Sequence, residues 1–132
     1  MTTDLWMLVW TAVLCVCLPF VYLTSRISTP GGLAWGLGNR DRPFQSEFPV
    51  WAGRAERAHR NLLENLAVFA ILVLVAHVAG KANATTALGA TIFFWSRVAH
   101  AAIYIAGITY LRTLVFTVAF LGELMIFLQL FR

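Results

Sequence analysis

Arg54-Ala55-Glu56-Arg57-Ala58-His59-Arg60-Asn61-Leu62-Leu63-Glu64-Asn65 runs without a break into residues 66–79, which are apolar except for His77. Ionisable groups are costly in hydrocarbon, so a chain that feeds them into an apolar helix marks a functional site by doing so. On an ideal helical wheel Arg54, Arg57, Arg60, Asn61 and Glu64 fall within an arc of about 120°, and His59 points nearly the opposite way. One face of this helix is therefore polar and cannot be turned to lipid.

The rest of the chain explains why that helix is in a membrane at all. Of 132 residues, 60% are hydrophobic and 12% charged, with a mean hydropathy of +0.76. A soluble domain of this length needs more polar surface. The expected class is all-α: a single integral-membrane domain over residues 1–132, built as an up-down four-helix bundle. Residues 5–23 form an apolar run long enough to span. A signal peptide is excluded by an n-region with Asp4 and no Lys or Arg, and by the lack of a clean small-x-small cleavage site. A bend is expected at Pro19. The further spans are expected over 52–79, 84–106 and 111–131. Gly80-Lys81-Ala82-Asn83 and Gly107-Ile108-Thr109-Tyr110 read as tight turns, which make neighbouring spans antiparallel.

Residues 24–51 are the one long connection. Pro30-Gly31-Gly32, Gly36, Gly38, Pro43 and Pro49 argue against regular structure there, and Trp35, Phe44, Phe48 and Trp51 suit the headgroup region. The end of the bundle that carries this connection holds Arg26, Arg40, Arg42, Arg54, Arg57, Arg60 and Arg112, against Lys81 and Arg132 at the other end. The positive-inside rule then puts the connection in the cytoplasm and both termini outside, in what reads as a bacterial inner (plasma) membrane. The net charge of +4 does not indicate nucleic acid, because no soluble module presents it. Cys15 and Cys17 lie on different faces of one helix and suit neither a mutual bridge nor a zinc site. No metal is expected.

The third span adds Arg97, His100 and Tyr104 within an arc of about 60°, and the fourth opens with Arg112-Thr113 and carries Glu123 on the face of Arg112. Arg97 and Glu123, at similar depth, read as a buried structural pair between two helices. The remaining groups make a net-basic polar cavity open to the cytoplasm. Arginines clamp carboxylates, a carboxylate holds an ammonium, and Asn61 offers both a donor and an acceptor to an amide. A flexible molecule with two carboxylates, an amine and peptide groups suits the set, and glutathione is one. Beside this stand plainer readings: Arg54 and Arg57 as interface anchors, Arg60, Asn61 and Glu64 as an inter-helix clamp, Tyr104 as an aromatic-belt residue, and His59 and His77 as solvated or helix-end groups.

Arg54-x-x-Arg57-Ala-His-Arg60-Asn61-x-x-Glu64 resembles the second-helix signature of the MAPEG family, the membrane-associated proteins in eicosanoid and glutathione metabolism. Arg97-Val-Ala-His100-x-x-x-Tyr104 and Arg112-Thr113 resemble its third helix and the start of its fourth. The resemblance implies a homotrimer with glutathione bound between subunits near the cytoplasmic face. It implies glutathione contacts from Arg26, Arg57, Arg60, Asn61, Glu64, His100, Tyr104 and Thr113. Arg112 is the implied catalytic residue, stabilising the thiolate for attack on a lipophilic electrophile or peroxide that enters from the bilayer, in a transferase or peroxidase serving detoxification. Phe116 departs from the pattern, since some members carry a tyrosine there. The alternative is a non-catalytic trimer that keeps the scaffold and at most binds a thiol. A small four-helix drug exporter is disfavoured, because 5–23 lacks an intramembrane carboxylate.

Overall fold

The structure is a computed structural model and describes residues 1–44 and 46–132. Four long helices, each apolar enough to cross a membrane, make up the bundle: α1 (Thr3–Ser28), α3 (Val50–Val78), α4 (Ala84–Ala106) and α5 (Thr109–Gln129). A short helix, α2 (Gly32–Leu37), lies between the first two. Helices α3 and α4 each touch all three other long helices, whereas α1 and α5 do not meet. The polar-faced helix α3 therefore sits at the centre of the fold, beside α4.

Local chemistry sets the ends. Pro30 forces the residue before it out of the helical region, and Thr29 is extended at φ −92°, ψ 126°. Helix α1 reaches Ser28 rather than the expected residue 23, because a run of hydroxyls serves its own last turns. Thr24, Ser25 and Ser28 each donate to the carbonyl three residues back, and Thr29 donates to Ser25. Helix α3 ends in a Schellman motif: Gly80 takes φ +65°, Lys81 N–H donates to Ala76 O at 2.8 Å and Gly80 N–H to His77 O at 3.1 Å. Asn83 then opens α4 with a capping box shared with Thr86, and Gly107 closes it at φ +86°.

The connection departs from expectation by containing α2. Trp35 on that helix packs on Phe44 and Phe48, with ring centroids 5.5 and 5.9 Å away, and donates from Nε1 to Arg42 O at 2.8 Å. These rings give the short helix the tertiary support its length denies it.

Two packing features hold the bundle. Phe69 and Phe93 stack at 4.0 Å between centroids, within a core that includes Val73, Ala76, Ala90, Ala119 and Ile126. Gly89 of α4 and Gly122 of α5 face each other so closely that a Cβ on either would lie 2.6 Å from the other's carbonyl oxygen. Close backbone approach through small residues is how helices gain contact where lipid offers no hydrophobic driving force.

The termini end of the bundle carries a polar lock that the sequence reading missed. Asp4 is not a solvated flank: it lies in the first turn of α1 and is 2% exposed. Its Oδ1 sits 3.0 Å from His77 Nε2 on α3, and its Oδ2 accepts from Thr86 Oγ1 on α4 at 3.1 Å. Thr2 Oγ1 lies 3.0 Å from the same His77 nitrogen. One carboxylate thus ties three helices. Asp4→Ala strands the Thr86 hydroxyl and the His77 ring together, and each lost partner of a buried group costs about 1–3 kcal/mol. The expected result is a melting temperature in detergent several degrees below wild type; an unchanged melt would mean the lock contributes nothing.

Candidate functional site

At the opposite end, α3, α4 and α5 leave an open cleft of about 260 Å³ lined by Asn61, His100, Tyr104, Arg112, Thr113 and Phe116. A smaller cavity of about 130 Å³ adjoins it, sharing Tyr104 and Arg112 and adding Arg54 and Arg57. His100 and Tyr104 come from α4 at a spacing of one turn, and their rings meet edge to face at 5.5 Å. Arg112, in the first turn of α5, lays its guanidinium on the Tyr104 ring, 4.4 Å from Cζ to the centroid. Such a contact orients a cation without neutralising it. Arg112 is thereby held as a permanent positive charge on the wall of the open cleft.

Five of the residues that the sequence reading selects meet here: Asn61, His100, Tyr104, Arg112 and Thr113. Arg57 reaches the adjoining cavity and is otherwise exposed. Arg60 and Glu64 line neither; both are exposed on the outward face of α3. Arg26 lies elsewhere. It belongs to a separate cavity of about 320 Å³ with Tyr22, Trp35, Arg40, Glu56 and Arg57. There it pairs with Glu56 at 3.7 Å and stacks on Tyr22 and Trp35. Within one chain, then, the expected ligand set is spread over the cleft, the outward face of α3 and the Arg26 cavity, and Arg57 lines both that cavity and the one beside the cleft.

The expected Arg97–Glu123 pair is not formed as a contact. Both side chains are buried, at 1% and 6% exposure, but among the described residues the carboxylates within ion-pair distance of a basic nitrogen are Glu56, beside Arg26, and Asp4, beside the His77 ring. Arg97 instead donates from Nη2 to Asn61 Oδ1 at 2.7 Å, with its Cζ 5.9 Å from the Phe93 and Phe116 rings. Asn61 Oδ1 lies within hydrogen-bond reach of Arg97, whereas Glu123 stays beyond ion-pair distance although it is buried too.

Of two other placements, that of His59 departs from the sequence reading and that of Arg54 adds a contact to it. His59 is half-buried against α1, with Nδ1 3.2 Å from the Tyr22 hydroxyl, rather than turned to solvent or headgroups. Arg54 donates from Nη1 to Ala106 O at 3.3 Å and so serves a carbonyl in the last turn of α4. Phe116 stands in the cleft as the sequence reading expects, and its ring also flanks His100 at 6.2 Å. No group of three His, Cys, Asp or Glu that could hold a metal ion occurs among the described residues.

The MAPEG family model matches residues 5–132, nearly the whole chain. The chain belongs to the MAPEG family. Membership makes it a multi-pass membrane protein related to glutathione and eicosanoid metabolism. No curated protein and no solved structure matches it, so the particular reaction of this MAPEG protein rests on its own residues.

Proposed function

We propose that this MAPEG protein is a homotrimeric, glutathione-dependent membrane enzyme that activates the thiol for attack on lipophilic electrophiles or peroxides. The observation that carries the reading is the convergence of Arg112, Tyr104, His100, Thr113 and Asn61 in one cleft. These groups suit a peptide with carboxylates and a thiol: Asn61, His100, Tyr104 and Thr113 supply neutral hydrogen-bonding atoms, and Arg57 and Arg112 supply fixed cations. A thiol reacts as its thiolate. A guanidinium beside the sulfur favours the charged form and lowers the thiol's pKa. Arg112, held over Tyr104, is the residue placed for that task.

The trimer is supported by what a single chain leaves uncovered. Arg57, Arg60, Glu64, Ala67, Ile71, Leu74 and Val78 recur at alternating spacings of three and four along α3, and all are exposed. Counting back roughly 30 Å of hydrocarbon, or about twenty residues, from Val78 puts Arg60 and Glu64 inside the membrane. Charged groups there face a protein neighbour or a water-filled cavity, not lipid. A second copy packed on this stripe covers them. The arginine-rich end faces the cytoplasm in this account, where the thiol is available.

Glu64→Gln and Arg60→Ala test the reading. Losing one charge-assisted contact costs about 1.5–3 kcal/mol, roughly ten- to a hundredfold in affinity. Titration calorimetry in mild detergent is expected to show that loss for glutathione, from a wild type whose native mass spectrum gives three chains. A monomer that binds glutathione as well as the trimer contradicts the shared site. The second reading, a non-catalytic thiol binder, draws on Phe116, which puts a hydrocarbon ring where a hydroxyl could meet the ligand.

A further inference from the structure

The Asn61 side chain can face Arg97 in only one orientation. Its Oδ1 receives the Nη2–H of Arg97 at 2.7 Å. A guanidinium has donors and no acceptor, so the atom facing Arg97 has to be the oxygen. The amide nitrogen is then turned away from Arg97, and no protein acceptor meets it among the described residues. Asn61 also lines the cleft. Arg97 has no equivalent freedom: it is 1% exposed, flanked by Phe93 and Phe116, and its Nε and Nη1 find no hydrogen-bond partner. Asn61 Oδ1 is its one side-chain hydrogen-bond partner among the described residues. A buried cation with a single partner holds that partner's orientation, because flipping the amide would strand the guanidinium and set N–H against N–H.

We infer that Arg97 is a positioning residue that locks Asn61 as a hydrogen-bond donor, so that at this point the cleft takes a carboxylate or carbonyl oxygen of its ligand and rejects an N–H. This rests on the glutathione reading above and sharpens it, since the sequence alone left Asn61 free to act as donor or acceptor. It gives Arg97 a hydrogen-bonded partner in Asn61, while Glu123 is not in contact with it.

Asn61→Asp separates the two polarities. It keeps an oxygen for Arg97 and adds charge to that bond, but it replaces the ligand-facing donor by an acceptor. The probe is S-hexylglutathione, measured by calorimetry on the detergent-solubilised protein. The expected result is a loss of affinity of about ten- to a hundredfold, at least as large as for Asn61→Ala, with a melting temperature no lower than that of wild type. Arg97→Met is expected to weaken binding in the wild-type background and to have no further effect on top of Asn61→Ala, whereas Arg97→Lys, which retains a donor, restores most of the affinity. An Asn61→Asp protein that binds as tightly as wild type overturns the donor assignment. A destabilised Asn61→Asp protein overturns the Arg97 contact without reference to any ligand. Additive losses from Arg97→Met and Asn61→Ala show that Arg97 acts on its own. A wild type that binds no S-hexylglutathione refutes the functional reading itself, a result distinct from each of these.

Discussion

Arg112→Leu is expected to bind S-alkyl glutathione nearly as well as wild type while its rate of conjugating glutathione to an aromatic halide falls about 10²–10³-fold. The asymmetry follows from where Arg112 sits. It lines the cleft with its guanidinium on the Tyr104 face at 4.4 Å, and Asn61, His100 and Thr113 remain to contact the ligand. In the account proposed here its partner is the sulfur, which carries charge only after the proton leaves. An S-alkyl ligand never develops that charge, so it does not miss the arginine. The reacting thiol does: a free thiol ionises at about pH 8.5, and near neutrality only a few per cent is thiolate. Removing the cation moves the bound thiol's pKa upward, so the mutant's activity is expected to recover in part as pH rises. A mutant that loses S-alkyl binding and conjugation by the same factor would make Arg112 a binding residue only.

Gly122→Val is expected to destabilise the protein by more than about 3 kcal/mol and to abolish folded material at ordinary growth temperature. The Cβ alone would lie 2.6 Å from Gly89 O and 3.0 Å from Phe93 N. Both are backbone atoms of a packed helix, so neither can rotate aside as a side chain tip would. Relief requires α4 and α5 to separate along the interface that buries Phe93, Ala119 and Ile126. In a membrane that loss of packing is not repaid by the hydrophobic effect. Gly36→Ala is the control: its Cβ would meet only Arg26 Cδ, at 3.6 Å, and its melt is expected to match wild type. An intact melt for Gly122→Val would contradict the close crossing.

What could be read from the sequence follows from the range of each signal. The hydropathy of the four long helices is local, and so are the start and stop signals of α4, Asn83 and Gly107, which flank it. The helical spacing of Arg97, His100 and Tyr104 is equally local, and it led to one face without saying what each side chain on that face would touch. Arg97 turned to Asn61 rather than Glu123 because the choice depends on how α3, α4 and α5 are rotated against one another. The Asp4–His77–Thr86 lock joins positions more than seventy residues apart from the first to the others. Nothing in Asp4's own neighbourhood distinguishes it from a solvated N-terminal acid. Gly89 and Gly122 are each unremarked alone and become a feature only as a pair. The C-terminal turns of α1 lie past the end of the apolar run that marks the span, so hydropathy does not reveal them; there the hydroxyls of Thr24, Ser25 and Ser28 bond back to the helix's own carbonyls.

Glutathione ionisation in the wild-type cleft is the most direct test of the central claim. The measurement is the ultraviolet thiolate absorbance of glutathione mixed with the detergent-solubilised protein, recorded by stopped flow from pH 5 to 9 on the order of one pH unit at a time, across the range in which a free thiol titrates. The account predicts a thiolate band that appears with the protein at a lower pH than for glutathione alone, and is displaced by S-hexylglutathione. A protein that binds glutathione yet leaves its thiol to ionise at the free value would contradict it.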